Sequence, residues 1–125
     1  MELKFYKCEL CGKIITIIKD TGVPTICCGQ PMKEIAAGST DAAVEKHVPV
    51  VSIDGNKIAV TVGEVEHPMA EEHYIEWITI STKNGMQSKS LNPGEQPKAE
   101  FLLSAGDEFV TAYAYCNLHG LWKNK

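Results

Sequence analysis

The sequence predicts a mostly β protein: a small metal-stapled N-terminal module followed by an immunoglobulin-like β-sandwich. Three observations carry this expectation. Cys8, Cys11, Cys27 and Cys28 all lie within the first 28 residues, with no histidine among them. His47, His67, His73 and His119 all come later, joined only by Cys116, so two modules with two different sites are expected. From Val48 onward, short β-branched and alternating runs are separated by turn residues, with no repeat, low-complexity tract or heptad pattern.

The N-terminal module is placed at residues 1–36. "LKFYK" and "KIITIIK" are strand-like, and "DTGVP" and "CGQPM" carry turn residues. So short a segment cannot bury enough apolar surface to fold unaided, because chains below about 40 residues usually need a metal, disulfides or a partner. Residues 37–46 read as a linker with one helical turn, and 37–125 as the second domain. There "VPVVSI" and "KIAVTV" flank the turn "DGN", with Ile58, Val60 and Val62 alternating on one buried face. "HYIEWITIST" is expected as a long strand with His73, Ile75 and Trp77 on one side and Tyr74, Glu76 and Ile78 on the other. Asn84-Gly85 signals a tight hairpin, and "AEFLLS" and "EFVTAYAYC" complete a set of six or seven strands.

Composition narrows the function. At 125 residues the chain holds one ordinary domain, or a small one plus a miniature. A net charge of −4 argues against nucleic acid, whose phosphates demand a basic face. The apolar runs, such as Ile14 to Ile18, are far too short for a membrane span, and "MELKFYKCEL" lacks a secretory core. A cytoplasmic location is therefore expected, where thiols stay reduced and clustered cysteines bind metal more often than they pair.

The spacing Cys-x2-Cys-x15-Cys-Cys is a metal signal, since two intervening residues let both thiolates of the first pair reach one ion. The adjacent second pair is unusual. Four thiolates suit iron or zinc, and a structural zinc staple is the plain alternative. For the second site the candidates are His47, His67, His73, Cys116 and His119, the last two spaced Cys-x2-His. Scattered histidines and an inert buried thiol are the bland reading. A structural zinc would leave one of the five unused, and a blue-copper site would want an axial methionine, which does not follow His119. Five ligands suit octahedral iron with one position open.

"YKCELCG…CCGQPM", "EKHVP", "HPM…HYIEWI" and "YCNLHGLWK" together resemble desulfoferrodoxin, the two-domain form of superoxide reductase, over essentially the whole chain. The resemblance implies a desulforedoxin-like first domain with iron on Cys8, Cys11, Cys27 and Cys28. It implies a catalytic iron with His47, His67, His73 and His119 equatorial and Cys116 axial. It further implies superoxide as substrate, hydrogen peroxide as product, a rubredoxin-type electron donor and a homodimer. Lys46, beside a ligand, is the candidate for steering superoxide against the overall negative charge and for bringing a proton. Glu45 is implied as the carboxylate that fills the open position after turnover; apart from the resemblance, Glu45 and Lys46 read as a solvated charge pair. A two-iron electron carrier and a zinc-stapled binding module are the rival functions.

Overall fold

The computed structural model describes residues 2–125. It divides into two compact units, residues 2–36 and 37–125. In the first, β1 (Phe5–Lys7) pairs antiparallel with β2 (Ile14–Thr16) on one side and β5 (Lys33–Ile35) on the other. β3 (Ile26–Cys27) and β4 (Gln30–Pro31) form a separate two-stranded hairpin. Only Phe5, Cys8 and Met32 are buried among the described residues of this unit. Three side chains are too few to offset the entropy of ordering the segment, so the cysteines must carry its cohesion.

The second unit opens with one helical turn, α1 (Val44–His47), at the end of the expected linker. Seven strands follow. β6 (Pro49–Asp54), β7 (Lys57–Val62) and β10 (Lys98–Leu102) make a three-stranded sheet with β7 in the centre. β8 (Ile75–Thr82), β9 (Met86–Ser90), β11 (Phe109–Cys116) and β12 (Gly120–Lys123) make a four-stranded sheet in the order β12-β11-β8-β9. The two sheets enclose one core, drawing Ile58, Val60 and Val62 from β7, Phe101 from β10, Ile78 and Ile80 from β8, and Ala112 and Ala114 from β11. Alternation along β11 continues that inward row to Cys116, which is fully buried at the end of the strand. No helix among the described residues is long and apolar enough to cross a membrane.

Three details depart from the sequence-based expectation. β8 begins at Ile75, and Ile75 does not share a face with Trp77. The register with β11 slips between Tyr115↔Trp77 and Cys116↔Ile75, leaving Glu76 as an extra residue in a β-bulge. Ile75 therefore joins Ile78 in the core, while Trp77 stacks on Tyr115 at 5.6 Å on the opposite face. A strictly alternating strand would have placed the Glu76 carboxylate inside; the bulge avoids that cost. The β8–β9 hairpin is present, but Gly85 has no left-handed backbone and the connection is wider than a two-residue turn. Thr82 N–H donates to Gly85 O (2.8 Å), and the Asp107 carboxylate accepts from the Thr82 hydroxyl (2.8 Å) and Asn84 N–H (3.0 Å). β12 was not expected; it pairs with β11 through Cys116↔Gly120, closing a three-residue loop.

Candidate metal centres

In the first unit the chain turns tightly after Cys8. Gly12 N–H donates to Cys8 O (2.9 Å), Cys8 N–H to Lys13 O (2.9 Å), and Cys11 N–H points at Cys8 Sγ (3.5 Å). The adjacent pair is resolved by a different device. Consecutive residues of a strand point to opposite faces, so Cys27 and Cys28 cannot both reach one ion from an extended chain. Cys27 pairs with Gln30 across the hairpin, leaving Cys28 and Gly29 as a two-residue turn with φ of +52° and +75°. Two positive φ values are the mark of a type I′ turn, which swings Cys28 back toward Cys27. Among the described residues, Cys28 is the only non-glycine with a positive φ.

All four sulfurs lie within 4.8 Å of one another, with Cys11 to Cys27 at 3.6 Å and Cys27 to Cys28 at 4.0 Å. Metal–sulfur bonds of roughly 2.3 Å in a tetrahedron put sulfurs about 3.8 Å apart, so the spacing fits one ion. Hydrogen bonds from the backbone, Cys11 N–H first, draw the Cys8 thiol down to about 6 despite partial desolvation. Hydrogen bonding with Cys11 and Cys8 pushes Cys27 up to about 12, and raises Cys28 as well. The cluster thus favours the thiolate at Cys8 and the protonated thiol at Cys27 and Cys28, and a bound cation would displace those protons.

The second unit gathers the histidines and Cys116. His47 ends α1, His67 and His73 lie in the β7–β8 loop, Cys116 ends β11, and His119 sits in the β11–β12 turn. His47 Nδ1–H donates to Ala43 O and His67 Nδ1–H to Pro68 O, both at 2.7 Å. Those bonds fix the tautomer and turn each Nε2 lone pair inward. The inward nitrogens of His47 and His67 stand 3.1 Å apart, and His119 reaches in through Nδ1, 3.2 Å from His47 Nε2. His73 Nε2 is buried without a hydrogen-bond partner. Donor atoms of His47, His67, His73 and Cys116 all lie within 4.8 Å of one another, and His119 Nδ1 is 4.0 Å from Cys116 Sγ.

The four rings form a near-square. Neighbouring centroids are separated by 4.6 Å (His47–His67), 4.7 Å (His67–His73), 5.1 Å (His73–His119) and 5.0 Å (His119–His47), with planes 74° to 89° apart. The His47–His73 diagonal is 6.4 Å. Bonds of roughly 2.1 Å to a central ion place adjacent nitrogens about 3.0 Å apart, matching the two measured edges. The donor set therefore fits an ion held by four imidazoles and one thiolate. Burial lowers His67 to about 4 and lowers His47 and His73, aided by the neighbouring imidazoles. Burial raises Cys116, against N–H bonds from His119 and Leu118.

Residues outside the ligand set hold it in shape. Trp122 stacks on His47 at 4.9 Å, and its indole N–H donates to His119 O (3.0 Å). Gly63 has φ of +86°, and a Cβ there would lie 2.4 Å from Val65 O and 2.6 Å from Lys46 O. The loop it opens is tied to α1 by Gly63 N–H to Val48 O (3.1 Å) and Val65 N–H to Glu45 O (2.9 Å). Glycine at 63 is thus what lets the Glu45-Lys46-His47 turn pack against the loop leading to His67. Lys46 is exposed, and its charge bears on His47 and His73. Glu45 is exposed and lines a groove of about 390 Å³ with Val48, Glu64 and Lys125. Sequence reasoning missed Trp122 and Gly63; their only signal was proximity to "CNLHG" and "EKH".

An N-terminal four-thiolate cluster and an immunoglobulin-like sandwich carrying a four-imidazole, one-thiolate cluster define a class of two-centre metalloprotein. The desulfoferrodoxin N-terminal domain model matches residues 1–35, and the desulfoferrodoxin model matches 39–125. The chain belongs to the desulfoferrodoxin family, an iron-binding family. It is 47% identical over 122 residues to a desulfoferrodoxin homologue of Archaeoglobus fulgidus, covering 98% of this chain and 96% of that one. It is 46% identical over 122 residues to desulfoferrodoxin of Nitratidesulfovibrio vulgaris, covering 98% and 95%. The crystal structure of the superoxide reductase from Treponema pallidum superposes with a TM-score of 0.84 at 38% identity, covering all of both chains.

Proposed function

We propose that this chain is a superoxide reductase, converting superoxide to hydrogen peroxide at an iron held by His47, His67, His73, His119 and Cys116 in the 37–125 domain. The observation that carries the reading is the square of four imidazoles with a single thiolate: five donors around a point where an octahedral ion takes six. When bound, iron supplies the one electron the reaction needs. The first centre, on Cys8, Cys11, Cys27 and Cys28 in the 1–36 module, is read as a second iron, with zinc as the alternative occupant. A rubredoxin-type donor and a homodimer complete the proposal, on the strength of the family resemblance.

The chain's own groups do the rest. Burial favours the neutral form of His47, His67 and His73. Four neutral imidazole ligands with Cys116 as thiolate would give a ferrous site a net charge of +1, attractive to a small anion. The protein as a whole carries −4, so approach depends on local charge. Lys46 supplies it, next in sequence to His47 and electrostatically coupled to His73. One electron and two protons convert one superoxide to one hydrogen peroxide, and Lys46, whose charge bears on His47 and His73, is the candidate to hold or pass the first proton. With iron bound, the Cys116 thiolate would be the ligand that supplies electron density to it. Glu45, adjacent to Lys46, is the carboxylate that would close the open position in the oxidised state.

The test is stoichiometry on fully reduced protein of measured iron content. Reduction yields one hydrogen peroxide per superoxide and no dioxygen. Dismutation yields one per two with dioxygen released, and an electron carrier leaves superoxide decay at its spontaneous rate; either result rejects the proposal.

A further inference from the structure

His73 lies where regular strand pairing has ended. Cys116↔Ile75 is the last pair between β11 and β8, placed just past the Glu76 bulge, and β11 then turns away into residues 117–119. The segment before Ile75 closes partly on itself: His73 N–H donates to Ala70 O (3.1 Å) and Ala70 N–H to His73 O (3.0 Å). Asn117 links this segment to the end of β11. Its backbone N–H donates to Tyr74 O (3.2 Å), its Oδ1 accepts from Tyr74 N–H (2.9 Å), and its Nδ2 donates to Glu72 O (3.1 Å). The residues on both sides of His73 are thus bound by the residue that follows Cys116.

We infer that Asn117 is a positioning residue for the second centre: its amide and backbone take the place of the missing strand partner and fix the His73 imidazole relative to the Cys116 thiolate. The chemistry explains the residue type. A carboxamide offers a donor and an acceptor on one short side chain, matching a carbonyl and an N–H presented two residues apart. Aspartate would accept from Tyr74 but set a lone pair against Glu72 O, and an apolar residue would leave both groups unmatched. His47 and His67 are oriented directly by their own Nδ1–H bonds to carbonyls; Asn117 does the equivalent for His73 through the backbone. The inference rests on the reading that His73 and Cys116 hold the same ion.

The experiment is a double-substitution cycle in the full-length chain, with cobalt(II) as probe metal and a chelator in competition. Binding is read from the paramagnetically shifted imidazole ring protons in the NMR spectrum, which a four-thiolate site does not produce. Asn117→Ala should weaken cobalt binding at the imidazole site by about 10–100-fold, the usual range for the groups that orient a ligand. In a His73→Ala background it should cost nothing more. An equal loss in both backgrounds would show a general structural role and overturn the inference. His73→Ala that leaves cobalt affinity untouched would overturn the ligand reading and this inference with it. Should Asn117→Ala fail to fold, Asn117→Asp, which retains the bond to Tyr74 and loses that to Glu72, carries the same cycle with the same criteria.

Discussion

The Nε2 atoms of His47 and His67 face each other at 3.1 Å while the Nδ1–H of each is committed to a backbone carbonyl. Two neutral imidazoles arranged this way point lone pair at lone pair, a repulsive contact that a cation between them converts into two bonds. A proton bridging the pair is the only other remedy, and burial opposes it by lowering both groups.

That opposition makes the metal-free sandwich acid-sensitive. His67 titrates at about 4 in the folded chain against an ordinary 6.5, so between those values the unfolded chain binds more protons. Stability then rises with pH across the window, and is lost as pH falls from 6.5 toward 4. His67 alone accounts for a loss on the order of 3 kcal/mol. Urea unfolding of the metal-free chain, followed by tryptophan fluorescence at pH 7, 5.5 and 4, checks this; both tryptophans, Trp77 and Trp122, lie in this unit. A pH-independent midpoint would contradict it.

Lys46→Ala should slow the bimolecular reaction with superoxide severalfold and flatten its ionic-strength dependence, since a lost local cation removes an attraction that salt screens. Pulse radiolysis across a salt series reads both. An unaltered salt slope would remove Lys46 from any steering role.

Metal removal should unfold residues 2–36 and spare 37–125. The smaller unit buries three side chains, and Cys28 holds a left-handed backbone, costly for a non-glycine residue, that the short β3–β4 pairing and ligation together must offset. Hydrogen exchange after chelation of the four-thiolate site should show loss of protection in β1, β2 and β5 with β7, β8 and β11 unchanged. Retained protection in β1 would mean the module is stapled by something else.

Trp122→Phe keeps an aromatic ring against His47 and removes the N–H that holds His119 O. Metal affinity of the imidazole site should fall by roughly 10-fold, at the weak end of the range for groups that orient ligands. Trp122→Leu, which loses the stack as well, should fall further. Chelator competition ranks the two; equal affinities for both variants and the parent would leave Trp122 a packing residue only.

Gly63→Ala should destabilise the sandwich by more than the roughly 1–3 kcal/mol of a forced left-handed residue, because its Cβ also meets the Lys46 and Val65 carbonyls. Relief of that overlap would push α1 outward, so metal binding through His47 should weaken together with the urea midpoint. A variant as stable as the parent would show that the approach of Gly63 to Lys46 is not tight.

Much of the chemistry was legible in the chain because it depends on residue type and short spacing. Cys-x2-Cys, Cys-x2-His and the split between early cysteines and later histidines named every candidate donor, and alternation in β7 identified its inward face. These are relations within a few residues, and local backbone geometry limits them to few outcomes. How the donors meet is a different kind of fact. His47 and His119 are 72 positions apart, and their nitrogens approach to 3.2 Å because separate sheet edges and loops pack together. The Glu76 bulge breaks an alternation the sequence displays intact, since only the register of β11 against β8 shows which residue is surplus. The type I′ turn at Cys28, the close approach at Gly63, the Trp122 brace and the Asn117 link are likewise properties of partners distant in sequence or of backbone angles. A single chain of letters states which atoms can bind a metal; packing sets their distances, and a coordination sphere is defined by distance.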